Sequence, residues 1–171
     1  MVNYYNIVKK TLVPIFYKED QIGRSLGKKD KKFKSKFKNN LYKSINKLAD
    51  LADSNLLNNK DIRREIKNVA KKSNVSLGQS QKTINTYLKY YCVLTGKTQK
   101  IIKELDCPLD SNIIKKYKNI DKNLREIKLK NLNDFKIYEK WQEHLKENGM
   151  GIRIEPDVLV YDKQRLDKFL K

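Results

Sequence analysis

The sequence has few of the residues that build metal centres and disulfide frameworks. Its 171 residues include two cysteines, Cys92 and Cys107, and one histidine, His144. There is no CxxC pair and no cluster of His and Cys, so we expect no structural zinc site and no cofactor. His144 lies among glutamates at helical spacing, a pattern typical of a solvated helix face. A disulfide between the two cysteines would be unusual in an intracellular protein.

Long apolar runs are also missing. No stretch approaches the roughly 18 apolar residues that a membrane-spanning helix needs. The N-terminus has no continuous apolar region of the kind found in signal peptides. These absences predict a cytoplasmic protein that is not inserted in a membrane, and no obligate protein partner is evident. A Walker-type phosphate-binding loop is missing as well, which argues against an ATPase or GTPase.

Acidic residues are scarce relative to basic ones. The chain has 39 Lys and Arg against 20 Asp and Glu, which gives a formal net charge of +19, and the first hundred residues carry +16 of it. A charge of this size opposes compaction through self-repulsion. A general bias toward lysine would not concentrate it in one part of the chain. We therefore expect nucleic acid as the partner, ahead of two alternatives, an anionic membrane surface and a purely compositional origin.

Apolar residues recur at helical spacing through most of the sequence and make up 39% of it. Helices with one buried stripe each can close a core from this material. The sequence predicts a mostly α fold, a compact bundle of about six to eight helices, as one domain over residues 1–171. This domain divides into a basic N-terminal part (1–75), a candidate catalytic core (76–118) and a C-terminal helical part (119–171).

Eight segments have the apolar spacing or the end signals of helices. They are residues 2–17, 33–52, 60–72, 81–94, 97–105, 111–117, 131–148 and 163–170. Ser80 is the expected N-cap of the helix over 81–94, and Asp110 or Ser111 caps the helix over 111–117. Pro156 interrupts a β-rich stretch, so at most one small extended segment is expected near residues 152–160.

Basic residues cluster in two places in the first half of the chain. Residues 23–38 alternate lysines with Phe33 and Phe37, which is usually a solvated face but also suits contact with a phosphate backbone. The helix over 60–72 places its basic residues opposite an apolar side. The candidate nucleic-acid contacts are Lys28, Lys29, Lys31, Lys32, Lys34, Arg63, Arg64, Lys71 and Lys72.

Lys82 and Asp110 lie in the two segments that are most informative for chemistry. A lysine on a helix is ordinarily an exposed residue. With Ser80 as N-cap, however, Lys82 falls in the first turn, where the helix dipole and nearby positive charges disfavour an ammonium ion. That position favours the neutral amine that a nucleophilic lysine needs. Asp110, taken alone, is a simple N-cap.

The segments GQSQKTIN (78–85) and CPLDSNII (107–114) resemble the core of the helix-hairpin-helix DNA glycosylases. In that superfamily a glycine-rich hairpin precedes Lys-Thr at the start of a helix, and an apolar-x-Asp-Ser/Thr element opens another helix. Within it the chain is most similar to the archaeal 8-oxoguanine DNA glycosylases, over residues 76–118. The family hairpin usually has two glycines, whereas this chain has Gly78 and, at the second position, Ser80.

The resemblance implies a DNA glycosylase with AP lyase activity on double-stranded DNA. A modified or damaged base would be flipped out of the stack. Asp110 would stabilise the positive charge that develops on the sugar, and Lys82 would attack C1′ and form a Schiff base that permits strand cleavage. Gly78, Ser80 and Gln81 would contact phosphate, and no metal is required. The alternative is a non-catalytic helical protein that binds DNA or RNA.

Three aromatic residues are further candidates for stacking against a base. They are Tyr87, Tyr90 and Trp141. Aromatic residues at helical spacing are more often part of a core, and we expect that role for most of them.

Overall fold

The computed structural model describes residues 26–117 and 127–148, together with Arg153. In these residues the chain forms helices and no strand, so the predicted mostly α fold is confirmed. The helices are α1 (Lys31–Asp53), α2 (Asn59–Ser73), α3 (Leu77–Leu94), α4 (Gln99–Glu104), α5 (Ser111–Tyr117) and α6 (Phe135–Glu147), with a 3-10 turn at Leu129–Asn131. The helices predicted at 2–17 and 163–170, and the extended segment near 152–160, lie outside the described residues.

The first two helices pack side by side in opposite directions. Asn40, near the middle of α1, donates through Nδ2 to Ser73 Oγ at the end of α2 over 3.0 Å. Ser44, further along α1, donates through Oγ to Glu65 Oε2 in the middle of α2 over 2.8 Å, so the two helices run antiparallel. Each helix presents an apolar stripe at a spacing of three or four residues, and these stripes form one core. Asn74, with φ 53° and ψ 47°, ends α2 in the left-handed conformation that asparagine tolerates. This turn brings the start of α3 close to the end of α2.

The third helix is the centre of the fold and packs against α1, α2, α4 and the 3-10 turn. It begins at Leu77, four residues earlier than predicted, because Ser76 and Gln79 form a capping box. Ser80 is therefore not the N-cap. Its buried hydroxyl instead donates to the carbonyl oxygen of Ile66 in α2 over 2.8 Å.

A buried loop, residues 105–110, connects α4 to α5. Pro108 prevents a helix there, and all six residues are buried. Of the two predicted caps, Asp110 and Ser111, it is Asp110 that caps α5, since its Oδ1 accepts hydrogen bonds from the backbone N–H groups of Asn112 (2.9 Å) and Ile113 (3.0 Å). The loop therefore ends by fixing the direction of the next helix.

The last described helix closes the core with Tyr138, Trp141 and Leu145. His144 lies on this buried side and packs edge-on against Trp141, with ring centroids 6.2 Å apart. Its expected place on a solvated face was wrong, because position 144 falls between the two core positions 141 and 145 on the inner face. Tyr87 and Trp141 are also buried, which excludes them as exposed stacking residues.

Candidate functional site

The structure brings Lys82 and Asp110 together. Lys82 Nζ lies 3.8 Å from Asp110 Oδ2. The side chain of Lys82 is 37% exposed, whereas that of Asp110 is 10% exposed. One carboxylate oxygen of Asp110 holds the first turn of α5 and the other faces the amine. The pair therefore combines an amine that solvent can reach with an anchored carboxylate.

Lys82 itself lies in the second turn of α3, because the helix begins at Leu77. The sequence argument placed it in the first turn, where the helix dipole acts most strongly. That argument no longer applies to Lys82. Its amine instead faces the opposite charge of the Asp110 carboxylate.

Two buried glutamines hold the 105–110 loop. Gln81 of α3 accepts from the N–H of Leu109 (3.1 Å) and donates to the Leu109 carbonyl (2.8 Å). Gln142 of α6 binds Cys107 in the same way, accepting from its N–H (2.8 Å) and donating to its carbonyl (2.9 Å). The loop is thus hydrogen-bonded to two helices, through Leu109 to α3 and through Cys107 to α6.

The first part of the loop is anchored by a buried ion pair. The Asp106 carboxylate is fully buried and accepts from Arg63 Nε (2.9 Å), Asn59 Nδ2 (2.8 Å) and the Tyr138 hydroxyl (2.8 Å). Burial lowers the pKa of Arg63, but the hydrogen bonds and charge of Asp106 outweigh it and leave that pKa raised. Burial and the Asp106 charge raise the pKa of Tyr138 well above its usual value. The tyrosine therefore stays a neutral donor.

The guanidinium of Arg63 is paired with carboxylates of this network. Its side chain is 14% exposed, and besides Asp106 it pairs with Glu139 (3.3 Å) and Glu143 (3.6 Å). The structure thus places Arg63 against carboxylates of its own chain, and its predicted contact with phosphate stays a prediction. A guanidinium surrounded by three carboxylates is electrostatically satisfied within the protein.

The predicted phosphate-binding hairpin is also internal. Gly78 donates its N–H to the carbonyl of Leu132 over 3.0 Å, and a Cβ on Gly78 would lie 2.1 Å from the carbonyl oxygen of Leu129. Ser80 and Gln81 are completely buried, with their side chains bonded inside the protein. The expectation that Gly78, Ser80 and Gln81 contact phosphate is thus corrected, since carbonyls of the same chain use these donors.

Seven of the remaining predicted contacts lie around the start of α1 and in the last turn of α2, here named the lysine-rich end, whereas Arg64 lies in the groove described below. It consists of Lys28, Lys29, Lys31, Lys32 and Lys34 before and in the first turn of α1, with Lys71 and Lys72 in the last turn of α2. All are exposed except Lys34, which is half-buried. The end of α2 lies beside Asn40, nine residues or about 13.5 Å along α1 from Lys31. The third helix starts close to the end of α2 and so begins beside Lys71 and Lys72. Lys82 is five residues along α3, which is about 7.5 Å.

A groove of about 760 Å³ beside α2 does not include the Lys82–Asp110 pair. Its lining includes Arg64, Lys67 and Phe135, with Glu104 and Glu139 among the acidic residues. Arg64 pairs with Asp61, and Lys67 Nζ lies 3.4 Å from the centroid of the Phe135 ring. The basic residues of this groove are largely engaged by neighbouring side chains.

Three further findings concern the described residues alone. No group of His, Cys, Asp and Glu there is arranged to hold a metal ion. Neither Cys92 nor Cys107 forms a disulfide, and burial raises the pKa of the Cys92 thiol to about 12. No helix in residues 26–117 or 127–148 has both the length and the apolar character needed to cross a membrane.

Sequence reasoning missed Gln142 and assigned Gln81 a different role, that of a phosphate contact. Gln81 and Gln142 carry the 105–110 loop, and both occupy helix positions that otherwise belong to the apolar stripe. Gln81 precedes Ile84 and Leu88 at spacings of three and four. A polar amide at such a position indicates a buried residue with internal partners.

No protein-family model, curated protein or solved structure matches this chain. Its function is therefore inferred from the residues and their geometry.

Proposed function

We propose that the chain is a DNA glycosylase with associated lyase activity, acting on a modified or damaged base in double-stranded DNA. The observation that carries the proposal is the 3.8 Å separation of Lys82 Nζ and Asp110 Oδ2. These residues are 28 apart in the sequence, and the sequence motifs single out this lysine and this aspartate among 39 basic and 20 acidic residues. The resemblance to helix-hairpin-helix glycosylases supplies the chemistry for such a pair.

In the proposed reaction, the neutral amine of Lys82 forms a bond to C1′ as the bond from C1′ to the base breaks. The base leaves with the bonding electron pair and takes up the proton that the amine loses as it bonds to C1′. The Asp110 carboxylate stabilises the positive charge that develops on the sugar. Opening of the sugar ring gives an imine between Lys82 and C1′. Loss of a C2′ proton then expels the 3′ phosphate, and water releases the amine.

The lysine-rich end supports a polyanionic partner. Lys31, Lys32 and Lys34 occupy the first turn of α1, directly after the N-cap Asp30, whose Oδ1 accepts from the N–H of Phe33 over 2.7 Å. The Asp30 carboxylate offsets part of the repulsion between these lysines and the helix dipole and leaves this end positively charged. A phosphate backbone would relieve that repulsion and release counterions. The same end of the fold carries the start of α3, on which Lys82 lies.

Borohydride trapping tests the chemistry directly. The protein is mixed with duplex DNA containing an abasic site or a lesion such as 8-oxoguanine, and the imine is reduced to a stable covalent complex. We expect trapping by the wild-type chain and none by Lys82→Gln, with binding to the duplex nearly unchanged. Asp110→Asn should bind DNA but lose base excision.

Lys89→Gln is the matched control for this experiment. Lys89 lies two turns beyond Lys82 on the same side of α3, so its loss removes an equal charge from the same helix face. Trapping that persists in Lys82→Gln would show that another amine reacts. A wild-type chain that traps neither DNA would overturn the enzymatic proposal.

A second candidate function is a helical protein that binds DNA or RNA without chemistry. The burial of Gly78, Ser80 and Gln81 favours it, because the backbone grip that the glycosylase hairpin provides is not exposed here. The lysine-rich end does not depend on that hairpin. This candidate predicts affinity that falls steeply as salt rises, together with no trapping. Affinity that does not change with salt would count against both functions.

A further inference from the structure

We propose that Gln81 is a positioning residue that fixes the distance between Lys82 and Asp110. The side chain of Gln81 bonds both backbone groups of Leu109, the residue before Asp110. Gln81 is itself the residue before Lys82. One buried amide therefore joins the backbone beside the amine to the backbone beside the carboxylate. The catalytic consequence of this link depends on the proposed function, whereas the geometric consequence does not.

The Gln81 amide has a full set of partners. Its nitrogen donates to the carbonyls of Leu109 (2.8 Å) and Gly78 (3.1 Å). Its oxygen accepts from the N–H of Leu109 (3.1 Å) and from Asn85 Nδ2 (3.2 Å). A primary amide has two donor hydrogens and two acceptor lone pairs, so every position is used. This arrangement leaves one orientation of the amide, and the orientation sets the register of the loop against α3.

The register of the loop determines where the Asp110 carboxylate lies. Asp110 directly follows Leu109, and two N–H groups of α5 hold its Oδ1. The second oxygen then faces Lys82 at 3.8 Å. Movement of Leu109 along α3 would carry Asp110 with it. Because Lys82 belongs to α3 and would stay in place, the separation of the amine and the carboxylate would change.

Gln142 provides a matched control within the same loop. It is also completely buried and also bonds both backbone groups of one loop residue, Cys107. It is not adjacent in sequence to Lys82, and its loop partner is three residues before Asp110. Gln81→Met and Gln142→Met thus each remove a buried side-chain amide that is hydrogen-bonded to the same loop. Only the first removes the link between the two members of the pair.

The geometric test follows the Lys82 amine by NMR after reductive methylation with ¹³C-formaldehyde. The Lys82 signal is the one that disappears in Lys82→Arg, and Asp110→Asn shows how it moves when the carboxylate is lost. We expect Gln81→Met to move the signal in the direction of Asp110→Asn, and Gln142→Met to leave it in place. Gln81→Asn, which keeps an amide but is one methylene shorter, should produce the same movement if Gln81→Met fails to fold. An unmoved Lys82 signal in a folded Gln81 variant would overturn the proposal, as would an equal movement in Gln142→Met.

The kinetic test uses single-turnover trapping on abasic duplex DNA. We expect Gln81→Met to lower the trapping rate by about 100-fold, the loss that a displacement of roughly 1 Å can cause, without change in affinity for the duplex. Gln142→Met should keep most of the rate. A wild-type chain that does not trap would remove the proposed function, while the NMR result would still decide whether Gln81 positions the pair.

Discussion

The 105–110 loop and the lysine-rich end are both strongly polar, yet they use their polar groups in opposite ways. In the loop, charged and amide groups are buried and bonded to one another, as in the pairing of Asp106 with Arg63. At the lysine-rich end, cations are exposed and gathered against the dipole of α1. The first arrangement fixes a geometry, and the second creates a field that extends into solvent. A count of charges along the sequence does not separate these two roles.

Arg63 and Arg64 show this difference between neighbours. Both were predicted to contact nucleic acid. The Arg63 side chain is 14% exposed and faces three carboxylates, whereas the Arg64 side chain is 55% exposed and pairs with Asp61 on its own helix. Successive positions on a helix point about 100° apart, which is enough to place one inside and the other outside. The burial of each charge therefore decides how it contributes.

Replacement of these two arginines should have the largest contrast in stability. Arg63→Met removes the nearer charge partner of the buried Asp106 carboxylate and leaves it Arg153, whose Nε lies 3.5 Å from Oδ1. We expect the loss to approach the roughly 3–5 kcal/mol of unfolding free energy that breaking a buried pair costs. Arg64→Met removes an exposed pair and should cost less than about 1 kcal/mol. Urea unfolding of the two variants measures the difference. Equal losses would mean that Arg63 is not part of the internal network.

The next largest effect is expected at Gly78. An alanine there would bring Cβ to 2.1 Å from the backbone oxygen of Leu129, so the 3-10 turn must move, at a cost of about 1–3 kcal/mol or more. Hydrogen exchange of the residue-78 amide, which donates to Leu132, should accelerate. Gly27→Ala is the control. It strains the backbone, because Gly27 has φ +63°, but nothing lies within 4 Å of the added Cβ, so exchange at residue 78 should not change. Slow exchange at residue 78 in Gly78→Ala would contradict the packing of this turn.

Acid should weaken the contact between α1 and α2 through Glu65. Burial raises the pKa of Glu65, but hydrogen bonds from Lys47 (2.8 Å) and Ser44 (2.8 Å) outweigh it, so the pKa lies below its ordinary 4.5. Because the folded-state pKa is the lower one, the unfolded chain binds more protons between the two values. The stabilisation is present above pH 4.5 and is lost as pH falls through the folded-state value.

Thermal unfolding across this acid range measures the effect of Glu65. Glu65→Gln should flatten the fall of Tm below about pH 4.5. Glu147→Gln, at the exposed end of α6, serves as the control and should leave the fall intact. A Glu65→Gln variant with an unchanged pH profile would assign acid sensitivity to other carboxylates.

The smallest effect on stability is expected at the lysine-rich end. Replacing Lys28, Lys29, Lys31 and Lys32 by glutamine should change the unfolding free energy by less than about 0.5 kcal/mol, since all four are exposed. The same change should reduce the slope of log affinity against log salt by about 0.9 for each lost phosphate contact on duplex DNA. Replacing Lys130, Lys136, Lys140 and Lys146 removes equal charge elsewhere. An equal loss of slope in that control would mean that the lysine-rich end is not a preferred contact.

The sequence predicted α1, α2, α5 and α6 because their apolar spacing and end signals are local. The start of α3 was misplaced because Ser76 and Ser80 are both plausible caps, and Gly78 between them resembled a loop. A glycine is required at this position of the helix because Leu129 approaches too closely to leave room for a Cβ. That contact joins residues 51 apart and leaves no local signal.

The site was predictable only in part. The pairing of Lys82 with Asp110 followed from a resemblance, because spacing alone does not bring residues 28 apart into contact. The ion pairing of Arg63 inside the protein depends on Asp106, which lies 43 residues further along the chain. Local patterns report propensity and amphipathic character, whereas the partner of a buried charge is set by tertiary packing.

The hydrogen bonds between Gln142 and Cys107 have a consequence for the order in which the 105–110 loop is fixed as the chain is synthesised. Lys82 and Asp110 both leave the ribosome well before residue 142. The link from Gln142 to Cys107 spans 35 residues, and contacts of such separation form late because loop closure must precede them. Until α6 arrives, the loop lacks the hydrogen bonds with Gln142, while Gln81 already holds Leu109 beside the Asp110 carboxylate. Lys82 and Asp110 can therefore be aligned before the loop is complete.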